Sequence, residues 1–227
     1  MNPQDQLREN PLFGGVTEET IREAGRVAVP YHFAEGEVLL CQDRDGELLH
    51  LLTCGAVRVS RLGAGQMERI VSELYAPDLV GESALLLGGE RSATVTATLP
   101  SSTLALHRSH LEMIARRDPT LLWNLARILA GRVRELNDEL IAAGHSTDAA
   151  LVHVMRGLYS QRLRAGLPDA ASLPLTHGDL MVRLSASRET VSRVLKRFQK
   201  QEIIRVGEGR LHLLRPEVLE SYDPEED

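Results

Sequence analysis

The 227-residue sequence predicts an α+β fold in three parts. These are an N-terminal β-roll, one long helix, and a C-terminal helix-turn-helix with a hairpin wing. Three observations predict it. From Ala28 to His107, short β-rich runs alternate with turns such as FAEGE, DRDGE, TCGA and YAPD, the pattern of a compact roll or barrel. After Asp118-Pro119 the apolar period changes to that of a heptad seam. From Thr176 to Gln201, two amphipathic helical stretches flank a Ser-Ala-Ser turn, and the second carries cations on its outer face.

A first helix is expected from about Thr17 to Arg26, with Thr17 as its N-cap. The strands VAVPYHF, EVLLCQ, LLHLLT, AVRVSRL, ERIVSELY, ATVTATL and TLALH follow. Ser109 is placed to cap a short helix, and Pro119 stands in the first turn of a long one, where its missing N–H costs nothing. Leu122, Ala126, Leu129, Val133, Leu136, Leu140 and Ala143 alternate steps of four and three, a narrow seam suited to a parallel copy of itself. Gly144-His145-Ser146 breaks that helix, and Ser146 or Thr147 caps the next, which runs to about Ala165. Boundaries at 118 and 144 divide the chain into a roll (1–118), a dimerisation helix (119–144) and a C-terminal domain with an acidic tail (145–227).

Composition excludes several classes. No apolar run approaches the roughly 18 residues needed to span a bilayer. The polar start MNPQDQLREN is neither a secretory signal nor a basic transit peptide, so a soluble cytoplasmic protein is expected. Cys41 and Cys54 read as reduced, buried thiols, and two thiolates cannot ligate an iron–sulfur cluster. The eight histidines form no HxxxH pair or zinc spacing, so no metal is expected. No P-loop, GxSxG or HExxH motif occurs, so an enzyme is not expected.

The formal charge is -6, but it is unevenly spread. Residues 149–216 hold 12 Lys/Arg against 5 Asp/Glu, while residues 1–148 hold 14 against 21. A basic block in an acidic chain is a footprint for a polyanion. Within it, Thr176 caps the first helix and Ser187 the second. Val191, Val194, Leu195 and Phe198 form the buried stripe of the second helix. Arg188, Glu189, Ser192 and Arg193 then point outward from its first turns, where a helix-turn-helix meets base edges. Arginine forks onto guanine and glutamate accepts from cytosine, while Lys196, Arg197 and Lys200 suit phosphates. IIRVGEGRLHLL supplies the wing. Double-stranded DNA is the expected partner.

At SRETVSRVLK, and in the order of its parts, the chain resembles the CRP/FNR family of bacterial transcription regulators, closest to its catabolite-activator branch. The resemblance covers about Leu12 to Leu214. It implies a homodimer that works with RNA polymerase and reads a palindromic TGTGA-like site through Arg188, Glu189 and Arg193. Ser185 departs from the pattern, standing where the family often has a turn glycine. His177-Gly178 also departs, replacing longer polar side chains.

A second motif is GESALLLGGERSATV, Gly81 to Val95. Backbone amides near Ser92 and Ala93, a hydroxyl and the Arg91 guanidinium make an anion site. Glu82 is suited to a sugar hydroxyl and to holding Arg91 in place. The stretch resembles the phosphate-binding cassette of cyclic-nucleotide domains. The resemblance implies that Arg91, Ser92 and the Ala93 amide hold a cyclic phosphate and Glu82 the ribose 2′-hydroxyl, with Gly81 allowing close approach. It also implies 3′,5′-cyclic AMP as effector. On the base side, Arg132 matches a family position near the nucleotide, and Leu136-Asn137 stands where cAMP-responsive relatives carry a polar pair. Only Asn137 of the two has polar atoms. Two alternatives stand beside cAMP control. One is a ligand-independent regulator set by its abundance. The other is a haem sensor drawing its axial ligand from His50, His107 or Cys54.

Overall fold

The computed structural model describes residues 2–63 and 68–222, with backbone alone at 139 and 142–145. The chain divides into two compact units, Met1–Arg132 and Val133–Asp227, and the division falls inside the long helix. Among the described residues no helix is long and apolar enough to cross a membrane.

The first unit opens with α1 (Pro3–Glu9), a 3-10 turn (Pro11–Phe13) and α2 (Glu18–Val27). Thr17 caps α2 by accepting from the Thr20 amide, as its sequence predicts. Strands β1 (Val29–Phe33), β2 (Val38–Leu40), β3 (Leu48–Cys54), β4 (Ala56–Leu62), β5 (Glu68–Tyr75) and β6 (Asp78–Val80) follow. Then come α3 (Glu82–Leu87), β7 (Thr94–Ala97), β8 (Ser101–His107) and α4 (Arg108–Arg117). Two antiparallel sheets form the roll, in the orders β1-β8-β3-β6 and β2-β7-β4-β5.

Strand alternation sorts the core into two layers. Leu49 and Leu51 of β3, Leu79 of β6, and Leu104 and Leu106 of β8 join Leu7, Leu12, Ile21, Ile114 and Leu121 from the helical side. Leu52 and Val80, on the opposite face, meet Leu40, Val57, Leu74 and Val95 of the other sheet inside the roll. Each such side chain contributes about 1.5–3 kcal/mol on burial. The same alternation corrects the cysteines. Both Cys41 and Cys54 are exposed, because each stands at or just past a strand end after a residue that points inward or half inward.

His107, not Ser109, caps α4. Its Nδ1 accepts from the Ser109 amide, so Ser109 lies too deep in the helix to be the cap. Asp118 then accepts from the amides of Thr17 and Thr120 and from the Thr20 hydroxyl. These bonds hold its carboxyl below the ordinary carboxylate range. The long helix α5 (Thr120–His145) follows.

In the second unit, α6 (Thr147–Arg164) is capped by Ser146. A two-residue strand β9 (Ser172–Leu173) precedes α7 (His177–Arg183) and α8 (Arg188–Lys200). The wing is β10 (Ile204–Val206) and β11 (Leu211–Leu213), in the sheet order β10-β11-β9, and α9 (Pro216–Ser221) closes the described chain. One core holds Leu151, Met155, Leu158, Leu180, Val191, Leu195, Phe198, Ile204 and Leu213. The acidic tail beyond residue 222 and the side chain of Ala143, last of the predicted seam, lie outside the described residues.

Candidate functional site

Arg91 is buried at the end of the roll, with 6% of its surface exposed. Its Nη1 donates to the Gly81 carbonyl (2.9 Å) and its Nη2 to the Leu48 carbonyl (2.8 Å), so it ties β3 to the start of α3. Burial lowers its affinity for a proton, and the nearby Glu82 charge opposes that. Two glycines make room for it. Gly81 adopts φ 91°, and a Cβ there would lie 2.6 Å from Arg91 Nη1. A Cβ on Gly46 would fall 2.0 Å from Arg91 Nε. Gly46 was not a candidate from the sequence, because only the folded contact shows its use.

The expected partnership of Glu82 with Arg91 is replaced by another. Glu82 faces Arg132 of α5, at 3.1 Å. The Nη2 of Arg132 also donates to Asp78 Oδ1 and to the Leu79 carbonyl, both at 2.7 Å. Arg91 is already engaged by carbonyls, whereas Arg132 arrives with a fork that reaches both carboxylates. Burial works against the Arg132 charge, but Asp78 and Glu82 outweigh it and raise its pKa. Burial likewise pushes Asp78 up, with Arg132 opposing. Asp78 is the member of this network that sequence reasoning missed. A lone carboxylate opening a three-residue strand carries no motif of its own.

The structure thus brings Gly81, Glu82, Arg91 and Arg132 together in the first unit. Ser92 is exposed and Ala93 half-buried just after Arg91. Leu136 and Asn137 are exposed on the stretch of α5 that belongs to the second unit. Beside Arg91, His50 is 3% exposed, with Nδ1 3.0 Å from the Thr103 hydroxyl and its ring against Tyr31 and Phe33. Burial, and then the Arg91 charge, push its pKa down to about 4. His107 faces Glu47 at 2.9 Å. No group of three or more His, Cys, Asp or Glu side chains suited to a metal is found among the described residues.

In the second unit the helix-turn-helix is built by caps. Thr176 and Asp179 form a reciprocal capping box on α7. Ser187 accepts from the Thr190 amide at the start of α8. Between them, the Ser185 amide donates to Val182 and the Ala186 amide to Met181, closing α7 in a Schellman turn. Ser185 takes the left-handed position at φ 47°, the conformation that usually selects glycine. Val191, Val194, Leu195 and Phe198 are buried, so Arg188, Glu189, Arg193, Lys196 and Lys200 are left on the open face. Arg197, also expected to meet phosphate, pairs with Asp148 of α6.

A cyclic-nucleotide-type roll followed by a winged helix-turn-helix defines a class, that of DNA-binding proteins built on a cyclic-nucleotide-type domain. Residues 30–118 match the model of the cyclic nucleotide-binding domain, and residues 150–222 that of the Crp-like helix-turn-helix domain. The cyclic AMP receptor protein of Thermus thermophilus is 33% identical over 214 residues, covering 94% of this chain and 97% of that protein. A CRP-like cAMP-activated global transcriptional regulator of Mycobacterium tuberculosis is 26% identical, over 89% and 91% of the two chains. The crystal structure of Thermus thermophilus catabolite activator protein, 33% identical, covers 93% of this chain and 97% of its own, with a TM-score of 0.53. The chain belongs to the CRP/FNR family of transcription regulators.

Proposed function

We propose that this regulator is a cytoplasmic homodimer that binds cAMP in its roll and reads a palindromic TGTGA-like site to act on RNA polymerase. The observation that carries the reading is the convergence of Arg91, Glu82 and Arg132 around Gly81. Arg91 supplies the charge for the cyclic phosphate, with Ser92 and the Ala93 amide beside it, and Glu82 accepts from the 2′-hydroxyl. Asn137 supplies the polar group for the base. In the DNA head, Arg188, Glu189 and Arg193 read bases, while Lys196, Lys200 and the helix starts at Thr176 and Ser187 meet phosphates. A row of exposed apolar side chains on α5 (Leu122, Val133, Leu136 and Leu140) supports self-association. The reading is of a regulator, not an enzyme. Similarity to proteins named for cAMP supports the choice of effector.

A second reading, control by abundance without ligand, is favoured by two observations. Both Nη atoms of Arg91 already donate to carbonyls, and Leu136 offers the base no polar atom. Titration calorimetry of ligand-stripped protein with cAMP and cGMP decides between them. Saturable binding of cAMP, tighter than cGMP and weakened by Arg91→Ala, is expected. No heat at high micromolar cAMP, with full binding of the DNA site, would establish the second reading.

A further inference from the structure

The cassette helix α3 has six residues, too few to hold itself. Its N-terminal end is tied by Arg91 through the Gly81 carbonyl. At its other end, the Gly88 amide returns to Ala84, and the Leu85 carbonyl would otherwise be orphaned. Arg108, the first residue of α4, fills that need. Its Nε donates to the Leu85 carbonyl at 2.7 Å, and its Nη2 donates to the same oxygen. The Arg108 backbone is itself fixed, its amide donating to the Glu47 carbonyl at 2.8 Å. Glu112, which faces the same guanidinium, stands back at 3.9 Å, so Arg108 is committed chiefly to Leu85. A cation at this helix end also opposes the negative pole of the dipole.

We propose that Arg108 is a positioning residue for the nucleotide cassette. It clamps the C-terminal end of α3 and so fixes where the chain leaves the helix for the Gly88–Gly89 turn and the phosphate-binding stretch Arg91 to Ala93, while Arg91 and Arg132 hold the helix start beside Glu82. Arg108 acts on that stretch only through α3 and the turn. The turn passes through Gly88 and Gly89 at φ 78° and 85°, two residues that resist little, so its course is set by what holds the helix end. With the Leu85 carbonyl released, α3 frays from its C-terminal end and Ser92 and the Ala93 amide lose their fixed place beside the phosphate.

This inference rests on the cassette being a cyclic-nucleotide site. The test is calorimetry with cAMP on stripped full-length protein, with hydrogen exchange of the segment 82–90, for wild type, Arg108→Gln and Arg108→Lys. Arg108→Gln should weaken cAMP roughly tenfold and speed exchange in 82–90 while leaving α8 unchanged. Arg108→Lys, which keeps the charge and one donor, should fall between Gln and wild type. Wild-type affinity and wild-type exchange in the Gln variant would overturn the assignment while leaving the site intact. Should the Gln variant fail to fold, the Lys variant decides alone, and an unchanged affinity and exchange overturns it. A wild-type protein that takes no cAMP overturns both the site and the clamp's role in it.

Discussion

Ser185 and His50 each hold a state their residue type resists. At φ 47° a serine incurs steric strain of roughly 1–2 kcal/mol that glycine does not, although glycine loses more entropy on folding. Ser185→Gly should therefore raise stability by some tenths of a kcal/mol up to about 1, read as a higher melting temperature with DNA affinity retained. A lower melting temperature would mean that the serine side chain makes a contact worth more than the strain. His50 is held neutral down to about pH 4, whereas an unfolded imidazole takes its proton near 6.5. Between those values the unfolded chain binds more protons, so folding stability falls as pH drops through that window, by on the order of 3 kcal/mol. His50→Gln should flatten the dependence of urea midpoints on pH between 4 and 6.5. At this scale the sequence was half legible. Caps at Thr17, Ser146, Thr176 and Ser187 follow from local spacing. The uses of Gly46, Asp78 and Arg108 do not, because each is defined by a partner from a distant segment. The cysteines prove exposed for a related reason, since the apolar residues earlier in each strand do not show which way its end turns.

At the scale of elements, α8 divides its cations by position. Arg193→Ala should lose roughly 1–3 kcal/mol on the cognate half-site and relax base preference. Lys200→Ala should weaken all duplexes alike and lower the salt slope by about 1. Arg197 is the exception, tied to Asp148 on α6. Asp148→Asn should release it, strengthening binding to random duplex and steepening the salt slope by up to about 1, measured by fluorescence anisotropy across salt concentrations. An unchanged slope would show that Arg197 faces away from phosphate even when free. Seven strands, the capped helices and the wing were readable from alternation and turn residues. The elements α1, α3, α9, β6 and β9 were not, being of seven residues or fewer and too short for a period to declare itself. For α3 the run Glu-Ser-Ala-Leu-Leu-Leu also lies inside a motif that reads as a loop.

For the whole molecule, α5 leaves Leu136 and Leu140 facing solvent, Leu140 with 72% of its surface exposed. Leu129 instead packs partly on the roll core, so a charge there would disturb two structures at once. Leu140→Glu is the cleaner probe of the proposed dimer, which would set like charges against each other across its seam. It should shift sedimentation toward monomer while circular dichroism stays unchanged, and an unaltered dimer would put the interface elsewhere. The bond network of Asp118 has a consequence in time. Its partners Thr17 and Thr20 lie 101 and 98 residues earlier. At a synthesis rate of about 5–20 residues per second, the start of α2 is made roughly 5–20 s before the carboxylate that holds it. During that interval Leu7, Leu12 and Ile21 are without Ile114 and Leu121, which complete their core. A nascent chain arrested before residue 118 should remain cleavable near Thr17, and one arrested well after α5 should not. The roll is thus latched by its own last segment, and the growing chain is most exposed to aggregation just before that latch is made.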